Sequence, residues 1–140
     1  MTTKTTCLLG AILLGAVLCS EAIAERTWVC AIANAVAVDE DGTIGPPDLD
    51  GLDRPTFFRV DVDKKELTLL APDSRRGEVT KINAIHEGEG LWFFSGVEEA
   101  RSWSLVISDK GHMTLSITAD GGTWSVFGHA LGESNVQSGK

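Results

Sequence analysis

Tyrosine is absent from the 140 residues, and cysteine, proline and histidine are scarce at three, four and three. Three cysteines cannot build a disulfide framework. His86, His112 and His129 share no short spacing with one another or with cysteine, so no zinc pattern is legible. Basic side chains are few: 12 Lys and Arg against 20 Asp and Glu give a net charge of −8. A nucleic-acid protein needs a surplus of cations for phosphate, and a protein held on anionic lipid needs the same. Both classes are excluded on charge. No apolar run reaches the roughly 20 residues of a membrane-spanning helix. No phosphate-cradling glycine loop, nucleophile elbow or internal repeat is present. What is present is a chain 43% apolar and 23% charged, with the length of one globular domain.

The longest apolar run is CLLGAILLGAVLC, from Cys7 to Cys19. Lys4 precedes it and Ala22-Ile23-Ala24 follows it, a small-x-small cleavage site. This layout reads as a secretory signal over 1–24, cleaved before Glu25, and places the protein in the bacterial periplasm or medium. Acylation of Cys19 is the competing reading, but Leu18 is large for the residue that precedes a lipidated cysteine. Beyond the signal only Cys30 is left. Its run, Trp28-Val29-Cys30-Ala31-Ile32, favours a small apolar core residue over an intermolecular disulfide or a reactive thiol.

The rest of the chain alternates with period two, the signature of strands. A long first strand is expected over 27–38, with Trp28, Cys30, Ile32, Val36 and Val38 on one face. Residues 39–55 carry Pro46, Pro47 and Pro55 and read as a long acidic loop without regular structure. Strands follow over 56–63, 66–70, 78–86 (the weakest pattern, read as bulged), 91–97, 101–108, 112–118 and 123–130. Segment 91–97 is apolar on both faces and reads as covered on both. Asp109-Lys110-Gly111 and Asp120-Gly121-Gly122 are hairpin turns. The expected fold is all-β: a small antiparallel up-and-down meander of about eight strands, closing into a barrel so that no edge is left open. The domain spans 25–131, with a flexible tail over 132–140.

Candidate functional residues are few. Asp39, Glu40, Asp41, Asp48, Asp50 and Asp53 crowd the acidic loop, and two Asp-x-Asp-Gly-like pieces resemble half of a calcium loop. The carboxylate that would complete the ligand set is missing, so these read as turns rather than a metal site. No cofactor is expected. Phe57 and Phe127 fall on the polar parity of their strands and mark a contact surface if exposed. Trp28, Trp103 and Trp124 share the apolar parity, which is core packing or the lining of a lumen. Arg75-Arg76 is a solvated doublet at a turn.

An exported β-meander with an early Trp28-x-Cys30 resembles the small bacterial periplasmic barrels that inhibit lysozyme or proteases, and calycin-like binders. The resemblance concerns architecture and implies no site residue. It suits a non-catalytic binding or inhibitory module for another exported protein, with Asp39, Glu40, Asp41, Asp48, Asp50, Asp53, Phe57 and Phe127 as contacts. A basic partner would suit the acidic loop. The alternative is a carrier of a small apolar ligand in the barrel interior, and a weaker one is a hydrolase without a recognised motif. A filled interior favours the first, and a lumen of several hundred Å³ lined by tryptophan favours the second, on the usual scale of ligand sites.

Overall fold

The computed structural model describes residues 26–47 and 56–133. The signal expected over 1–24, Asp48, Asp50 and Asp53 of the acidic loop, and residues 134–140 lie outside them. Among the described residues the chain is all-β apart from a 3-10 turn at Asp73–Arg75. Ten strands are formed: β1 (Thr27–Asp39), β2 (Ile44–Gly45), β3 (Phe57–Asp61), β4 (Glu66–Ala71), β5 (Val79–Lys81), β6 (Ala84–Gly88), β7 (Leu91–Glu98), β8 (Arg101–Ser108), β9 (His112–Ala119) and β10 (Gly122–Gly132).

They make one antiparallel sheet in the order β5-β4-β3-β1-β10-β9-β8-β7-β6, with β2 clipped to β1. β3 to β5 and β6 to β10 each run as a meander of consecutive paired strands, and β1 joins the two by pairing with β3 on one side and β10 on the other. β1 and β10 pair along their whole length, from Trp28 opposite Gly132 to Asp39 opposite Gly122. The sheet curls into a half-barrel with one face inward. Its two ends, β5 and β6, are joined only by Ile82-Asn83. Ile82 N–H donates to the Lys65 carbonyl on one side, and Asn83 N–H to the Ser95 carbonyl on the other. The weak pattern over 78–86 is therefore one segment bent between two partners, not a single bulged strand.

The other departures from expectation have local causes. β1 carries a bulge between Ile32 and Asn34, so Ala33 is an extra residue. A bulge shifts side chains to the opposite face. Before it, Trp28, Cys30 and Ile32 face inward. After it, Ala35 and Ala37 stand opposite the inward Val126 and Trp124, while Val36 and Val38 stand opposite Ser125 and Thr123. The expected inward Val36 and Val38 thus point out, and alanines take their place. Gly128 permits the bulge: a Cβ there would meet the Ala31 carbonyl oxygen at 1.9 Å. The proline-rich loop is not wholly irregular, because Val38 and Ala37 capture Ile44 and Gly45 as a short strand. β7 is not covered on both sides, since Leu91, Phe93 and Val97 of its outer face are exposed. β10 runs on to Gly132, where Trp28 supplies the pairing partner.

Register defines two ends. Asp39, Gly122, Ala119, Arg101 and Glu98 pair in one row across β1, β10, β9, β8 and β7. This row, with the loops after β1 and β4, forms the mouth end. The opposite, floor end holds the turns after β3, β6 and β8, with Gly111 at φ +79° where a three-residue hairpin loop needs a left-handed residue. The fully buried residues, Cys30, Val60, Phe94, Leu105, Ile107 and Met113, fill the floor half. Trp28 closes the floor in an aromatic cluster, 4.9 Å from Trp92 and 5.8 Å from Phe94 between ring centroids, with the Arg26 guanidinium over Trp92. Glu133 ties the floor strands together. It accepts a 2.6 Å hydrogen bond from Thr27 and a 2.9 Å bond from Arg59.

Candidate functional site

The mouth half is hollow. A cavity of about 660 Å³ opens there, lined chiefly by Ile32, Phe58, Leu69, Trp103, Ile117 and Trp124. Side-chain size explains it. Ala35 and Ala119 occupy inward positions near the mouth where the floor half carries larger residues such as Ile107 and Met113. Leu115 and Ile117, inward on β9, are only partly buried, whereas Met113 one step toward the floor is fully buried. The sheet holds its strand spacing whatever its side chains are, so small residues leave a void.

Trp103 lines this space at the first inward position of β8 below the mouth row. It stands opposite Gly96 on β7 and Ile117 on β9. The indole lies against Gly96, where a Cβ would come within 2.6 Å of the ring and 2.7 Å of Nε1. Trp103 is 6% exposed, and its Nε1 is the one buried side-chain nitrogen or oxygen among the described residues without a hydrogen-bond partner. Such a group costs about 1–3 kcal/mol when left unpaired.

The mouth is charged but internally paired. Glu98 accepts from Thr80 at 2.7 Å and from Arg101 Nε at 2.6 Å. Partial burial alone would raise the Glu98 pKa. The Thr80 and Arg101 hydrogen bonds and the nearby arginine charges outweigh it and hold the carboxyl below the usual range. Arg75 grips Glu78 with three hydrogen bonds of 2.6–3.1 Å, which lower the Glu78 pKa, and Arg76 pairs with Asp73. The arginine doublet is thus spent on its own turn.

The sequence-nominated residues divide between the mouth and the outer face. Asp39, Glu40 and Asp41 form a tight turn at the mouth end. Asp39 N–H donates to the Thr43 carbonyl, and Asp41 accepts from Thr43 N–H at 2.8 Å, which lowers its pKa. Phe57 and Phe127 are outward and exposed, at 38% and 45%. They flank β1 opposite Ala31 and Asn34, three residues apart, so they do not form one patch across a single register row. Thr114, Val106 and Phe93 continue the Phe127 row across the outer face.

Cys30 is wholly buried, and burial pushes its thiol pKa up to about 12. It is a packing residue in its surroundings, not an activated thiol. His112 and His129 come together on the outer face with ring centroids 6.0 Å apart. Among the described residues no group of three His, Cys, Asp or Glu side chains is placed to hold a metal ion, and no helix is long and apolar enough to cross a membrane. A second cleft, at the floor end, is rimmed by turns and by charges of both signs, Arg26, Glu87, Glu89, Asp109 and Lys110. Its inner wall is the Trp28–Trp92 pair.

Sequence reasoning missed Ala35, Gly96 and the unpaired indole of Trp103. The inward parity of Trp103 and Trp124 was legible, but the bulge that puts alanines opposite Trp124 and Val126 was not. The chain matches no protein-family model, no curated protein and no solved structure.

Proposed function

We propose that the protein is an exported, non-catalytic binding protein that holds a small apolar molecule in the cavity at its mouth end. The cavity carries this reading. Its volume of about 660 Å³ falls within the roughly 300–1,000 Å³ of ordinary small-molecule sites. Its walls are chiefly aliphatic and aromatic, with two tryptophans, and Arg75, Glu78, Glu98 and Arg101 add charge to the lining. The export reading, with cleavage before Glu25 and a calycin-like barrel as the carrier, rests on the sequence over 1–24 and on the meander. N-terminal sequencing of the exported protein tests it: Glu25 first supports it, and Met1 or a lipidated Cys19 refutes it.

Titration with N-phenylnaphthylamine, whose emission rises in apolar surroundings, tests the binding reading. The expected result is saturable binding of one probe per chain, with energy transfer from Trp103 and Trp124. A rise that never saturates would refute it.

The second reading is a module that binds or inhibits another exported, basic protein. The exposure of Phe57 and Phe127 and the acidic turn at Asp39, Glu40 and Asp41 favour it. Inhibition of a basic lysozyme, abolished by Phe57→Ser with Phe127→Ser, would support this use of the outer face.

A further inference from the structure

We infer that the molecule held in the cavity is a cationic amphiphile: an apolar body that ends in an amine or quaternary ammonium, with the charged end kept at the rim beside Trp124 and Asp39. This rests on the cavity reading and narrows it to one class of ligand.

The charge left over at the mouth carries the inference. Arg75, Arg76 and Arg101 stand at that end, and each is paired with a carboxylate: Arg75 with Glu78, Arg76 with Asp73 and Arg101 with Glu98. Asp39, Glu40, Asp41, Glu99 and Asp120 lie at or just past the mouth ends of β1, β7 and β9. No ion pair reaches any of them among the described residues. Pairing at the mouth thus uses up these arginines but leaves carboxylates over. The floor cleft differs, because its rim carries charges of both signs. An apolar cavity beneath a rim of one sign focuses that field at its opening, which draws cations in and turns anions away.

Trp124 and Asp39 give the charged end its place. After the bulge, Ala35, Ala37 and Asp39 share the inward parity of β1. Asp39 pairs with Gly122 in the mouth row, and Ala37 pairs with Trp124 in the next inward row. The Trp124 indole, which lines the cavity, reaches up to the mouth row: a Cβ on Gly122 would lie 3.9 Å from its Cη2. Neighbouring rows therefore bring an aromatic ring and a carboxylate without an ion partner to the same stretch of rim. A cation is stabilised by the quadrupole of the ring and by the charge of the carboxylate, whereas an anion gains from neither. Asp39 is exposed, so an ammonium beside it keeps water on its open side and escapes the cost of burying a charge. The apolar body then runs inward past Ala35 and Ala119 toward Ile117.

The experiment is displacement of N-phenylnaphthylamine at neutral pH by naphthalenemethylamine, naphthalenemethanol and naphthoate, which share a ring system and differ in charge. It is run on the wild type, on Asp39→Asn and on Glu87→Gln, a charge-matched control at the floor. In low salt the wild type should bind the amine about tenfold more tightly than the alcohol, with naphthoate weakest. In about 0.5 M salt, where the Debye length falls to a few Å, the preference should shrink to about threefold or less. Asp39→Asn should lower the amine-to-alcohol ratio at least about threefold, as expected when the nearest charge is lost. It should leave the alcohol affinity unchanged, which also shows that the variant is folded. Glu87→Gln should keep the wild-type ratio.

Equal wild-type affinities for amine and alcohol in low salt, naphthoate as the tightest ligand, a preference that Asp39→Asn leaves intact, or one that Glu87→Gln lowers as much would each overturn the inference while leaving a binding cavity in place. Failure of N-phenylnaphthylamine itself to bind saturably would remove the cavity reading and this inference together.

Discussion

The two halves of the interior are built from the same strands and differ in what those strands carry inward. Toward the floor, Ile107 and Met113 face each other across β8 and β9 and are fully buried. Toward the mouth, Trp103 and Ile117 occupy the equivalent pairing, with Ala35 and Ala119 nearby and open space between. A short strand cannot be well packed and hollow at one level, but it can be each in turn along its length. The floor half carries the tight packing, which, on the proposed binding reading, frees the mouth half to leave apolar surface for a ligand.

Paired substitutions can break or sharpen this division. Ile107→Ala should cost about 4 kcal/mol, as large-to-small changes do in a well-packed core. Ile117→Ala, beside space that already exists, should cost no more than about 1.5 kcal/mol on the same scale. Urea unfolding of the two variants checks this, and equal costs would mean that the halves are packed alike. Gly128→Ala should cost about 3 kcal/mol, because its methyl group would be driven into the Ala31 carbonyl and undo the bulge.

The smallest expected effect is on acid stability. Glu133 at the floor has its pKa lowered by the Thr27 hydrogen bond, against a counteracting burial effect, and by Arg59. Glu98 at the mouth is lowered as described above. A carboxyl whose folded pKa lies below its unfolded value contributes fully above that unfolded value, the usual glutamate 4.5. The contribution is lost as the pH falls through the lower, folded pKa. The urea midpoint should therefore lose this part only below about pH 4.5. Glu133→Gln and Glu98→Gln should each flatten that acid limb by at most about 1 kcal/mol, since both groups are partly solvated. A loss centred above pH 5, about where neither carboxyl would be protonating, would contradict the assignment.

Much of the fold was legible because period-two alternation and hairpin glycines act locally. β8, β9 and the turn at Asp109-Lys110-Gly111 follow directly from such signals. The bulge at Ala33 was not legible, because it depends on Gly128, nearly 100 residues away in sequence and adjacent only once β1 meets β10. With the bulge went the inward face of Ala35 and Ala37, and with that the hollow mouth. The outward Phe57 and Phe127 were legible from parity alone. The bend at Ile82-Asn83 was not, because two different strands claim its two halves.

The central claim is that the hollow mouth half is the binding site, and Ala35 is where it is most directly tested. Ala35→Leu places a larger side chain into the cavity, and Val36→Leu makes a similar enlargement on the outward face one residue later. The measurement is the affinity for N-phenylnaphthylamine of both variants beside the wild type. The account predicts at least a tenfold loss for Ala35→Leu, about the loss of one good contact, with unfolding stability unchanged or raised, and no loss for Val36→Leu. Equal affinity in both variants would contradict it.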